Sequence, residues 1–275
     1  MFNNNSATRR GVLAGGAAGL TASLLALNTP FAAAEPPPEV DNIRLLLDPA
    51  YPILCYAPQY IASEFLRLEG FKEVQSVPFG EHPSESAVLA ARDADFAAVL
   101  GSDWIVSIDK DMPVSVLGGL HAGCVEIFAN ERVESIRDLA GKRIVANAPG
   151  GPEYVFISSV AAYVGIDPKR DVEWVFEPNY GKWPDLMKDG KVDVVNAFPP
   201  QNYALHDNPA YHVIVNTTLD DPWRNFFCCM IGASTEFVQQ YPVATKRALR
   251  AFAKANHLCA FEQDRAARLL VEYGA

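Results

Sequence analysis

Six short stretches hold the side chains that could do chemistry on a small molecule. Residues 49–60 contain Tyr51 and Tyr56; 80–86 contain Glu81 and Ser84; 101–104 contain Ser102 and Trp104; 119–123 contain His121. Residues 147–154 contain Gly150, Gly151, Glu153 and Tyr154, and residues 196–202 contain Asn196, Phe198 and Gln201. Aromatic walls with a few hydroxyl, amide and carboxyl groups suit a non-covalent pocket for a small solute. None of the six stretches contains Lys or Arg. The run Pro149-Gly150-Gly151-Pro152 precedes a helix, where glycine lets backbone N–H groups turn inward and a helix amino end favours an anion. Glu153 puts a negative charge at that same end. It either complements the helix dipole or meets a cationic or hydrogen-bond-donating ligand. His121 reads first as a structural histidine, then as a cleft contact; Trp104 and Trp183 read equally as rim or core.

Signatures of catalysis are missing. There is no G-x-S-x-G, no Walker A, no H-E-x-x-H and no paired metal-ligand spacing. Five cysteines, Cys55, Cys124, Cys228, Cys229 and Cys259, cannot all pair within one chain. Without a C-x-x-C or Cys/His zinc spacing they read as small buried hydrophobes before they read as metal or redox groups. The residues therefore predict no enzyme, no cofactor and no metal. With 33 acidic against 23 basic residues and a net charge of -10, the chain is a poor match for nucleic acid or anionic lipid.

The elements that must position these stretches alternate. Apolar strands are predicted at 43–47, 74–79, 96–100 and 114–120, separated by helices at 59–68, 84–91 (with Pro83 at its first turn) and 104–108. The pattern returns with strands at 124–129, 143–146, 172–176 and 192–197, a short helical turn at 134–139, and helices at 153–164 and 183–188. Strand and helix in short alternation signal doubly wound α/β sheets. In such sheets ligands sit outside the carboxyl ends of the strands, the rule that selects the six stretches above. Strands at 212–216 and 226–231 lead back to the first sheet. From Ser234, which caps a turn at 237–240, the chain is helical, with a long helix from Pro242 to about 261 and another over 264–273.

Residues 1–34 differ in kind. Arg9-Arg10, an Ala/Gly/Leu run from 11 to 27, and Ala32-Ala33-Ala34 form a charged, an apolar and a small-residue segment in order. This predicts an export signal, of twin-arginine type, cleaved after Ala34. Removing two arginines and no acid takes the charge from -10 to -12. Residues 35–42 are Pro-rich and read as a linker.

The run Ile136-Arg137-Asp138-Leu139-Ala140-Gly141-Lys142-Arg143-Ile144, with residues 118–128 before it and Gly190-Lys191-Val192-Asp193 after it, resembles a family. It is similar to the nitrate/sulfonate/taurine branch of ABC-importer binding proteins, which is related to the binding proteins for thiamine-pyrimidine precursors. The resemblance covers residues 43–275. It implies a two-lobed periplasmic binding protein of type II, each lobe a doubly wound, mostly parallel sheet flanked by helices. Lobe 1 would comprise 43–123 and 221–275, lobe 2 would comprise 124–220, and two crossings would join them. The implied protein is a periplasmic monomer that delivers a small solute to an ABC permease at the inner membrane. A sulfonate or nitrate ligand rests on Gly150-Gly151. A pyrimidine rests on Tyr51, Tyr56, Trp104, Tyr154, Glu81 and Glu153. A ligand sensor without transport, or remotely an enzyme like the thiamine-pyrimidine synthases, are the alternatives. The resemblance also implies further helices after residue 275, so the chain reads as a shortened version.

Overall fold

The computed structural model describes residues 35–47 and 53–273. The segment expected to be an export signal and Tyr51 lie outside them. Among the described residues ten strands form two five-stranded sheets. The first is ordered β2-β1-β3-β10-β4, from β1 (Asn42–Leu46), β2 (Glu73–Val77), β3 (Phe96–Leu100), β4 (Val114–Ala122) and β10 (Phe227–Ser234). The second is ordered β7-β6-β8-β5-β9, from β5 (Glu126–Asn130), β6 (Arg143–Ala146), β7 (Glu173–Phe176), β8 (Val194–Ala197) and β9 (Tyr211–Asn216). In the first sheet β2, β1 and β3 run parallel, while β10 pairs antiparallel with both β3 and β4. The second repeats this arrangement, with β5 as its antiparallel member between β8 and β9. Four strands of each sheet thus run one way, and the fifth is the one that enters directly from the other lobe.

Sequence explains the layers. Strand β3 is a continuous apolar run, and β8 is buried along its whole length with Asn196 as its one polar residue, the pattern of strands covered on both faces of the sheet. Helix α1 (Ala57–Leu68) packs on a long C-terminal helix, Pro242–Phe261, whose Ala244, Ala248, Ala251 and Ala255 are fully buried at helical spacing. Small residues on that stripe let the first sheet's cover lie close. Beneath it Phe96 meets Phe237 edge-on at 5.3 Å and Phe252 at 6.0 Å.

The segment carrying the family resemblance is structural. Ser135 and Asp138 form a capping box that closes a single 3₁₀ turn, Ile136–Asp138. Gly141 then takes φ +70°, the left-handed geometry that starts β6. Asp193, buried, accepts from the Arg143 backbone N–H at 3.0 Å, from the Arg143 guanidinium, and from Asn130 Nδ2 at 3.1 Å, tying β5, β6 and the approach to β8 together.

Boundaries shift where caps decide them. The helix predicted from Ser84 behind Pro83 begins at Glu85, because Ser84 is extended and its hydroxyl accepts from the Ala87 N–H as an N-cap. A short helix, Asn202–His206, is an addition to the predicted elements. Strand β10 runs three residues further than expected, to Ser234, whose hydroxyl caps helix Thr235–Gln240.

Candidate functional site

Two cavities open between residues of the two sheets and share Pro152 as a common wall. The larger, about 570 Å³, lies where β3 ends, where helix Pro152–Tyr163 begins, and beside the crossings around Gly123 and Trp223. The smaller, about 290 Å³, lies beyond β1 and β2, with Tyr56, Gln59 and Ser84 on one side and Asn147, Ala148 and Tyr180 on the other. Cross-sheet contact is direct: the Leu54 N–H donates to the Pro199 carbonyl at 3.4 Å, and Phe198 packs into the first sheet's core.

Three carboxyls cluster here: Glu153 lines the larger cavity, Glu85 the smaller, and buried Asp103 lies behind them and lines neither. Asp103, in the first turn of helix Gly101–Asp109, is 4% exposed and accepts from the Ser86 N–H at 3.0 Å and the Ser86 hydroxyl at 2.7 Å. Glu85 accepts from the Tyr56 hydroxyl at 2.8 Å; burial, and then the nearby Asp103 charge, push its carboxyl up to about 8. Glu153, 2% exposed, accepts from the Tyr180 hydroxyl at 2.9 Å through Oε1. Its Oε2 is buried without a partner among the described residues. Burial raises Glu153 to about 7, against the lowering pull of its own backbone N–H and of Tyr180. Asn196 adds a second buried, unpartnered acceptor, Oδ1, on the wall of the larger cavity. Among the described residues no Lys or Arg lines either cavity. The site presents acceptors and aromatic surface, so it can hold hydrogen-bond donors or positive charge.

The residues singled out from sequence divide. Ser102, Trp104, Glu153, Asn196 and Phe198 line the larger cavity; Tyr56 and Ser84 line the smaller. Trp104 is 1% exposed and lies over Gly232, so wall and core are one role for it. Glu81 is exposed and lines neither cavity, because the turn at Gly80 (φ +66°) carries it outward. Tyr154 points away, its ring 4.5 Å from Trp174 and 6.3 Å from Phe176 on β7. His121 lines neither; its ring nitrogens meet the carbonyls of Gly123 at 2.9 Å and Cys55 at 3.1 Å. Gly150 and Gly151 also line neither. Gly150 is exposed at φ +74°, and the Gly151 N–H donates to the Ala148 carbonyl at 3.1 Å, while Pro152 has none to give. A Cβ on Gly151 would strike the Asn147 side chain, so that glycine serves close packing rather than an anion cradle.

Sequence reasoning misses Glu85, Asp103 and Tyr180. Glu85 and Asp103 stand inside the selected stretches, next to Ser84, Ser102 and Trp104, and nothing in their spacing marks them as the buried acids. Tyr180 sits beyond β7, a strand whose carboxyl end the loop rule covers but whose loop is not among the six stretches. The cysteines are missed as a group. Cys55 (from the turn after β1), Cys124 (in a crossing), and Cys228 and Cys229 (on β10) converge beside His121. Their spacings, 69 and 104 residues, carry no local signal. Hydrogen bonding from Cys124 and then Cys229 holds the Cys228 thiol low, at about 4, while burial pushes Cys229 up.

The model of the NMT1-like family matches residues 52–273. The chain belongs to the NMT1-like family. No curated protein matches it. Among solved structures, the alkanesulfonate-binding protein SsuA of Xanthomonas axonopodis pv. citri, bound to MOPS, is similar with a TM-score of 0.67 at 15% identity, covering 87% of this chain and 80% of that one. The periplasmic nitrate-binding protein NrtA of Synechocystis PCC 6803 gives 0.68 at 17%, covering 86% and 66%. The aliphatic sulphonate-binding protein SsuA of Escherichia coli gives 0.66 at 14%, covering 85% and 78%. At these identities the likeness is one of fold: this NMT1-like chain has the two-lobed α/β architecture of type II binding proteins. Among its described residues no helix is long and apolar enough to cross a membrane.

Proposed function

We propose that this chain is the periplasmic solute-binding component of an ABC importer, and that its ligand is a small organic solute carrying hydrogen-bond donors or positive charge on a flat, apolar body. The observation that carries the reading is Glu153, whose Oε2 has no partner in a buried wall it shares with Asn196 and aromatic rings. A buried carboxyl without a second partner is costly, and a donor ligand supplies that partner. The similar proteins are named for nitrate and sulfonates, which are anions. This chain offers acids where an anion needs donors, which favours an amino-substituted heteroaromatic such as a pyrimidine over those anions.

The mechanism is a population shift. A ligand that touches Trp104 and Ser102 from the first lobe and Glu153 and Asn196 from the second favours the closed arrangement by its differential contacts. Micromolar capture needs about 8 kcal/mol, within reach of a few desolvated hydrogen bonds and aromatic contact. The permease then receives the closed form.

A thermal-shift screen of the chain from Glu35 tests this, against amino-pyrimidines, taurine, alkanesulfonates, nitrate, bicarbonate and aromatic carboxylates. Binding to the folded state alone raises the melting temperature. A shift confined to amino-substituted heteroaromatics supports the reading; a shift with sulfonates or nitrate overturns it.

A further inference from the structure

Four of the five cysteines meet at one point of the fold, although they come from three distant parts of the chain. The Cys124 and Cys228 sulfurs are 2.8 Å apart. Those of Cys124, Cys228 and Cys229 all lie within 4.8 Å of one another, and Cys55 Sγ, Cys124 Sγ and a His121 ring nitrogen form a second group within the same limit. Cys124 belongs to both. Four thiolates around a tetrahedral ion at about 2.3 Å place their sulfurs roughly 3.8 Å apart, a spacing that Cys124, Cys228 and Cys229 already approach, with Cys55 beside Cys124 as the fourth candidate ligand. Hydrophobic packing does not require this. Five cysteines could have been scattered, as Cys259 is, on the long C-terminal helix.

We propose that Cys55, Cys124, Cys228 and Cys229 form a site for one thiophilic d¹⁰ cation, typified by Zn(II), placed at the hinge of the two lobes. Soft thiolate sets select such ions over hard ones. His121, hydrogen-bonded through its ring to the Gly123 and Cys55 carbonyls, holds two ligand-bearing segments in place and acts as a positioning residue. The location gives the site a consequence. Cys124 lies in one crossing, Cys228 and Cys229 lie where the other crossing enters β10, and Cys228 is on the wall of the larger cavity. An ion there ties both crossings to the turn after β1. Uptake by thiols displaces protons, one for each sulfhydryl that becomes a thiolate ligand, and no electron moves.

The test uses the full chain, reduced and freed of metal, titrated with Cd(II) as an optical stand-in for Zn(II). The expected result is a sulfur-to-cadmium charge-transfer absorption that saturates at one equivalent, is displaced by Zn(II) and releases protons to an indicator. Zn(II) alone should raise the melting temperature by several degrees. Cys124→Ser and Cys228→Ser should each lose the absorption at least tenfold in apparent affinity, while Cys259→Ser behaves as wild type; cooperative melting of each variant shows that it folds. The proposal is overturned if the absorption is absent, if it persists unchanged in both hinge variants, or if mass spectrometry finds the chain as purified with a Cys124–Cys228 disulfide that prevents uptake even after the other thiols are reduced.

Discussion

Replacing Glu153 by Gln should change how stability depends on pH, and the structure fixes both sign and size. Glu153 is 2% exposed, and burial raises it from an ordinary 4.5 to about 7. Between those values the folded state holds a proton that the unfolded chain releases, so stability falls as pH rises from 4.5 to 7 and then levels off. At about 1.4 kcal/mol per unit of pKa difference, the loss is about 3 kcal/mol. The Glu153→Gln variant keeps an acceptor for the Tyr180 hydroxyl and carries no titrating group at that position. Around pH 4.5 a protonated carboxyl and a carboxamide are near equivalents, and the two proteins should have similar stability. At about pH 8 the variant should be more stable by about 3 kcal/mol. Urea denaturation of ligand-free protein at pH 4.5, 6, 7 and 8, followed by tryptophan fluorescence, measures the difference at each pH. A difference that stays constant across the series would refute the reasoning, because it would show a Glu153 carboxyl that titrates alike in both states.

The remaining predictions concern the ligand and the frame. A cationic ligand that needs ionised Glu153 should bind about twentyfold more weakly at pH 5.5 than at pH 7.5, read by calorimetry; equal affinity would argue against a carboxylate partner. Asp193→Ala, which strips Arg143 and Asn130 of their shared acceptor, should cost about 3 kcal/mol in urea, and a cost under about 1 kcal/mol would mean that the network is ornamental. Gly232→Ala places a methyl into the Trp104 ring and 2.7 Å from the Ser115 carbonyl oxygen. It should destabilise the chain by about 2 kcal/mol and alter the intrinsic fluorescence of Trp104, whereas an unchanged spectrum would show that the ring is not seated there.

The fold was legible because it is written in local signals. The apolar run of β3, the Val194-Val195 pair of β8 and the left-handed Gly141 each act within a few residues. The walls of the larger cavity were legible only where the carboxyl-end rule and side-chain direction agree, as at Trp104, Glu153, Asn196 and Phe198. It failed at Tyr154, whose helical position turns the ring toward Trp174, and at Gly151, whose N–H is already bonded to Ala148. Direction within a turn depends on tertiary neighbours that spacing does not encode. The cysteine cluster lies furthest from what sequence can tell, since its members are brought together only when β10 inserts between β3 and β4.

The most direct measurement is a calorimetric titration of wild-type and Glu153→Gln proteins at pH 7.5 with an amino-substituted pyrimidine and with taurine. The expected result is one pyrimidine site per chain, weakened at least tenfold in the variant, and no heat from taurine. Taurine binding of equal strength to both proteins, with none for the pyrimidine, would contradict it.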